Sequence, residues 1–198
     1  AMCRVWGSTP RRAAIWAVPI PGLLAQAPAA APVQAPVKRT LEAYTVPEVL
    51  LVNQDGARVK LKALLESGDP VIVDFIFGSC TTISPVLSAG YADLQGKLPD
   101  RPARVRLVSI SIDPENDTPK AMRDYLRRFG ARPGWDFFTG KREDIDQVLH
   151  AFNAYVPNKA LHHPLILIRD PKQGTWVRLS GLMSSSEFIG ECKKVGIL

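Results

Sequence analysis

Cysteine can serve both as a nucleophile and as a soft-metal ligand, and this chain has three: Cys3, Cys80 and Cys192. They lie far apart and form neither a disulfide framework nor a zinc-type spacing. Cys80 stands out by its setting, between the run Val71-Ile72-Val73-Asp74-Phe75-Ile76-Phe77-Gly78-Ser79 and the stretch Thr81-Thr82-Ile83-Ser84-Pro85. The run reads as a central strand covered on both faces, and sheets of that kind bind ligands at the carboxyl ends of their strands. A thiol just before a helix N-terminus also feels the positive end of the helix dipole, which favours the thiolate. Cys192 falls on the apolar stripe of the last helix and reads as core, and Cys3 falls in a signal-like N-terminus.

The groups around Cys80 in sequence have ordinary readings that compete with chemical ones. Ser84 followed by Pro85 reads as the N-cap and first residue of a helix, a cap contributing about 1 kcal/mol over Ala. As a metal ligand its hydroxyl is a hard, weak donor. His162 and His163 precede an apolar strand, where a loop histidine bonded to backbone is the plain expectation. Asp113, Glu115 and Asp117 invite a metal or acid-base role, but turn chemistry and the dipole of the following helix account for them. Asp74 interrupts the central strand, and burial there would raise its pKa.

Elements that position these residues follow from periodicity. Residues 49–52 and 59–61 flank Asn53-Gln54-Asp55-Gly56, a hairpin-type turn, and 61–65 adds a helical turn. After the central strand, Leu87, Tyr91, Leu94 and Leu98 share one helix face. Residues 105–112 form a second strand, then Thr118 and Pro119 open a helix that buries Met122, Tyr125, Leu126 and Phe129 and stops at Gly130. Residues 135–139 read as a short strand, Ile145, Val148, Leu149 and Phe152 as a helix, and 165–168 with 175–179 as a hairpin. Ser184 and Glu187 make a capping box for the last helix. This order predicts an α/β, thioredoxin-like fold, a central mixed sheet flanked by helices, with an N-terminal hairpin and an extra helix inserted.

With 198 residues, 46% of them hydrophobic and 22% charged, the chain suits one domain plus a tail. The net charge of +6 is spread along it without aromatic interleaving or a nucleic-acid motif, so a solvated basic surface explains it and nucleic acid is not an expected partner. Residues 1–37 read as a segment apart: Arg4, Arg11 and Arg12, an apolar stretch 13–24, an Ala25-Gln26-Ala27 cleavage pattern, and a Pro/Ala linker. The apolar stretch is shorter than the ~20 residues a spanning helix needs, so an exported protein is expected, with the folded domain over 38–198.

From about residue 46 onward the chain resembles the Sco/SenC family, thioredoxin-fold copper chaperones of cytochrome oxidase assembly. The resemblance rests on four stretches: Cys80-x-x-x-Ser84-Pro85, where the family has Cys-x-x-x-Cys-Pro; residues 105–112 running into Asp113-Pro114-x-x-Asp117-Thr118-Pro119; Arg128-Phe129-Gly130 with Gly134-Trp135; and Leu161-His162-His163-Pro164. It implies a copper site held by two cysteines and a histidine. Cys80 and the position of Ser84 supply the first two, and counting back from Asp170-Pro171 places the third at His162, with His163 as the alternative. Thiolate and imidazole suit Cu(I) and Cu(II); serine weakens that set and cannot form the disulfide of family redox cycling. The resemblance further implies a periplasmic, or membrane-associated, monomer serving the copper-site subunit of a respiratory oxidase, or a thiol reductant, as a metallochaperone. It also marks Pro164 as a candidate for the cis-proline that thioredoxin folds place opposite the active cysteine. Two other classes compete: a single-cysteine thiol peroxidase or reductase, against which stand the missing Cys-x-x-Cys and Phe77 at the peroxidase threonine position, and a degenerate interaction or sensor protein without metal, which Ser84 favours.

Overall fold

The computed structural model describes residues 36–98, 105–170, 172 and 174–198. The expected signal-like segment and linker over 1–37, and Cys3 with them, lie outside the described residues except for Pro36 and Val37. Strands β1 (Lys38–Glu42), β2 (Leu50–Asn53), β3 (Arg58–Lys60), β4 (Val71–Ile76), β5 (Arg106–Ser111), β6 (Trp135–Thr139), β7 (Leu165–Arg169) and β8 (Trp176–Ser180) form one eight-stranded sheet in the order β1-β8-β7-β4-β5-β6-β2-β3. β4, β5 and β6 run parallel, and the remaining pairs are antiparallel, giving the mixed sheet expected. Helices α1 (Leu61–Leu65), α2 (Ile83–Lys97), α3 (Pro119–Arg128), α4 (Arg142–Ala151) and α5 (Ser185–Lys194) cover it.

Every residue of β4 is buried, as its unbroken apolar run requires. Its alternate side chains enter two cores. Val71, Val73 and Phe75 pack with Leu61, Leu65, Ile145, Val148 and Phe152 on one face. Ile72 and Ile76 pack with Leu87, Tyr91, Met122, Phe188 and Cys192 on the other. Local signals set several helix ends as expected: Thr118 accepts from the Ala121 N–H with Pro119 at the first position of α3, and Ser184 with Glu187 closes a capping box on α5.

Two expectations need correction, and one element goes beyond them. The helix after Cys80 begins at Ile83 with Thr82 before it, so Ser84 lies inside the first turn and is not its N-cap. The His163–Pro164 peptide is trans, since no described peptide bond is cis; the trans form is favoured by about 0.5–1 kcal/mol even before proline. The edge strand β1 was not expected. Its sequence Lys-Arg-Thr-Leu-Glu carries no apolar alternation, because it is mostly exposed and is held by backbone pairing to β8.

The topology fixes where chemistry can occur. β4 and β7 are antiparallel with Asp74 opposite Ile166. The chain leaving β4 after Ile76 therefore meets the chain entering β7 before Leu165. β5 runs parallel to β4 and ends beside them at Ser111. Three connections thus converge at one end of the sheet: the one with Cys80, the one with His162, and the turn from Asp113 to Asp117.

Candidate metal centre

After β4 the chain turns through Phe77, Gly78 and Ser79, closed by the Cys80 N–H on the Phe77 carbonyl at 3.1 Å. A helix leaves its first N–H groups without intrahelical partners. Thr82, the residue before α2, offers no side-chain cap. The Cys80 sulfur takes that place, accepting the Ser84 N–H at 3.4 Å, with Thr82 Oγ1 at 3.7 Å. This is the physical reason that Ser84 is not the cap. Cys80 is only 8% exposed. Burial pushes its thiol up, but hydrogen bonds from Ser84 and Thr82 outweigh burial and bring the pKa down to about 7. The Ser84 hydroxyl is wholly buried and accepts the Phe77 N–H at 3.2 Å.

His162 ends the short 3-10 turn Lys159–Leu161, itself capped by the Asn158 side chain on the Ala160 N–H at 2.9 Å. Its Nδ1 lies 2.9 Å from the Lys159 carbonyl. A carbonyl can only accept, so Nδ1 carries the proton and the lone pair stays on Nε2. That nitrogen faces Cys80 Sγ at 4.0 Å. The ring is buried edge-on to Phe77, with centroids 5.1 Å apart. Burial lowers its pKa, which favours the neutral imidazole, while the Lys159 carbonyl bond works the other way. His163 is exposed. Of the two histidines it is therefore His162 that approaches Cys80.

Around this pair sits a buried set that sequence reasoning had assigned to turn chemistry. Asp117 accepts the Gly78 N–H at 3.0 Å and the Ser111 hydroxyl at 2.5 Å. Burial pushes its carboxyl up, while the Ser111 and Gly78 bonds pull it down. Asp113 is held by the Asn116 amide at 3.0 Å and pairs with the Lys159 ammonium. The Lys159 ammonium also lies 5.4 Å from the Phe77 ring centroid. The two aspartates are visible in the sequence as polar residues four apart after a strand end, but their partners, 39 and 46 positions away, are not. Glu115 instead pairs at the surface with Arg142.

Cys80 and His162 supply one sulfur and one nitrogen. Zinc-type bonds of about 2.3 Å to sulfur and 2.0–2.1 Å to imidazole span at most about 4.4 Å, so one ion can bridge the observed gap. Among the described residues no group of three or more His, Cys, Asp and Glu side chains is arranged to hold an ion. The Ser84 hydroxyl lies beside the thiol, donating to it while accepting the Phe77 N–H. One sulfur and one imidazole nitrogen make a donor set that suits a soft ion.

Comparison with known proteins places the chain in a family. The family model for SCO1/SenC matches residues 37–189. The chain is a member of the SCO1/SenC family. The SCO1 protein homolog of Bacillus subtilis is 39% identical over 116 residues, 57% of this chain. The chain spans 59% of that relative's length. BsSco, described as a Sco family member of the cytochrome c oxidase assembly proteins in which a disulfide switch was identified, aligns with a TM-score of 0.64 at 31% identity, over 79% of this chain and 95% of that one. Bradyrhizobium japonicum ScoI, solved with copper bound, aligns with a TM-score of 0.60 at 26% identity, over 74% of this chain and 96% of that one. The family shares the fold described above, which confirms the thioredoxin-like expectation.

Proposed function

We infer that this SCO1/SenC protein binds copper through Cys80 and His162 and serves assembly of the copper site of a respiratory oxidase, with Ser84 weakening its hold on the ion. The carrying observation is the 4.0 Å approach of Cys80 Sγ to an Nε2 whose lone pair is fixed toward it by the Lys159 carbonyl. Copper in a solved relative and the assembly role described for BsSco support the reading. Thiolate and neutral imidazole together hold Cu(I), and a hydroxyl adds little to that ion. The reading includes export directed by the segment 1–37, a folded domain over 38–198, a monomer facing the periplasm, and the oxidase copper-site subunit or a thiol reductant as partner. No helix among the described residues is long and apolar enough to cross a membrane.

Titration with Cu(I) against a competing chelator under reducing conditions tests the reading. The protein should bind one ion weakly, and Cys80→Ala or His162→Ala should abolish binding. Ser84→Cys should tighten binding at least 10–100-fold, the range lost even when groups behind a ligand are altered, and should gain a reversible disulfide with Cys80. Unchanged binding in Cys80→Ala would exclude the site. A second reading, a single-cysteine thiol enzyme, draws on the Cys80 pKa of about 7. It requires sulfenic acid at Cys80 after peroxide and its reduction by an external thiol, and it is tested by trapping that acid.

A further inference from the structure

The carboxylate of Asp117 reaches beyond its own turn, to Gly78 as well as to Ser111. The turn that carries it is closed by backbone bonds from the Asn116 and Asp117 N–H groups to the Asp113 carbonyl, both at 3.0 Å. The helix that follows is capped by Thr118. Burying a carboxylate is costly unless it is well bonded, and the bonds of Asp117 go to Ser111 and to Gly78, two positions before Cys80. The contact is close enough to dictate the residue type across from it: a Cβ at position 78 would lie 2.8 Å from Asp117 Oδ1. Gly78 is therefore there for the approach of this carboxylate, and its φ lies outside the left-handed region. Four residues earlier, Asp113 grips Lys159. The backbone carbonyl of Lys159 is the group that orients the His162 ring.

We propose that the five-residue turn from Asp113 to Asp117 is a bracket that positions both donors at once, Asp117 holding the Cys80 loop through Gly78 and Asp113 holding the His162 loop through Lys159. Asp117 and Lys159 are thus positioning residues, neither touching the ion. The two loops lie 82 positions apart in sequence, and the sheet alone brings their ends together without fixing a gap of one ion's width. One rigid turn bonded to each removes that freedom, as preorganised sites require. The proposal rests on the reading of Cys80 and His162 as donors, but its geometric part can be measured with no metal present.

In the metal-free protein, Asp117→Ala should expose the Gly78 amide to hydrogen exchange and change the alkylation rate of Cys80 at least about tenfold, leaving Cys192 unchanged. Asp117→Asn keeps an oxygen for the Gly78 N–H and should recover most of the Gly78 protection. It is also the variant to use if Asp117→Ala does not fold. Lys159→Met, which retains the stem and loses the ammonium, should shift the ring nitrogen NMR signals of His162 while the Gly78 amide stays protected. With Cu(I), Asp117→Ala and Lys159→Met should each lose about 10–100-fold in affinity, the range for groups behind metal ligands. If the metal-free readouts move as stated but no form binds copper, the bracket stands and the copper reading fails. If Asp117→Ala leaves Gly78 exchange and Cys80 alkylation as in the parent protein, or if a folded Lys159→Met leaves the His162 signals unchanged, the bracket is wrong.

Discussion

Two buried cysteines face opposite treatments in this molecule. Cys80 lies at the end of the sheet, where Ser84 and Thr82 donate to its sulfur and hold the pKa at about 7. Cys192 lies on α5 within the core facing α2, where burial, with Glu191 nearby, pushes the thiol up to about 12. Their accessibilities hardly differ, 8% against none. What separates them is the supply of donors: a helix start has orphan N–H groups to offer, and a helix interior has none. Asp74 shares the core of Cys192. Neither of its oxygens has a hydrogen-bond partner among the described residues. Burial pushes its carboxyl up to about 7.

The largest expected consequence is in reactivity. At pH 7 Cys80 should be about half thiolate and Cys192 about one part in 10⁵. The more basic thiolate is intrinsically the better nucleophile, which cancels roughly half of that gap on a logarithmic scale. Iodoacetamide should then modify Cys80 about 10²–10³-fold faster, with a pH midpoint near 7, as followed by mass spectrometry. Equal rates would remove the contrast.

Next in size is the carboxylate in the core region. The unfolded chain releases the Asp74 proton above about pH 4, while the native protein keeps it until about 7. Between those values the native state binds more protons, so stability falls as pH rises, by about 4 kcal/mol at most, and is level on either side. Asp74→Asn should lose this slope. Urea unfolding of both proteins at pH 4, 5.5 and 7 gives the difference, and parallel curves would mean that Asp74 ionises freely.

The smallest effect sharpens the site side of the comparison. Ser84→Ala removes a donor to the Cys80 thiolate and leaves the buried Phe77 N–H without its acceptor. The alkylation midpoint of Cys80 should rise by about one pH unit, and stability should fall by about 1–2 kcal/mol. If the midpoint stays put, the Ser84 N–H and Thr82 suffice to hold the thiolate.

Elements whose signals are local were legible in the chain. The run before Gly78 gave β4, Thr118-Pro119 gave the start of α3, and Ser184 with Glu187 gave that of α5, because a cap or an apolar stripe acts within one or two helical turns. The sequence also marked Cys80, since a strand end before a helix is a local pattern. Tertiary structure decided the rest. β1 exists through backbone pairing to β8, which no side-chain alternation announces. Ser84 lost the cap to a sulfur four residues back, a choice made by how the Cys80 loop lies against α2. His162 was separated from His163 by which ring the antiparallel β4–β7 pairing turns toward Cys80, and Asp117 was separated from a plain turn residue by Gly78, across 39 positions. Contacts of that range depend on how whole elements pack, and no neighbouring residue in the chain records them.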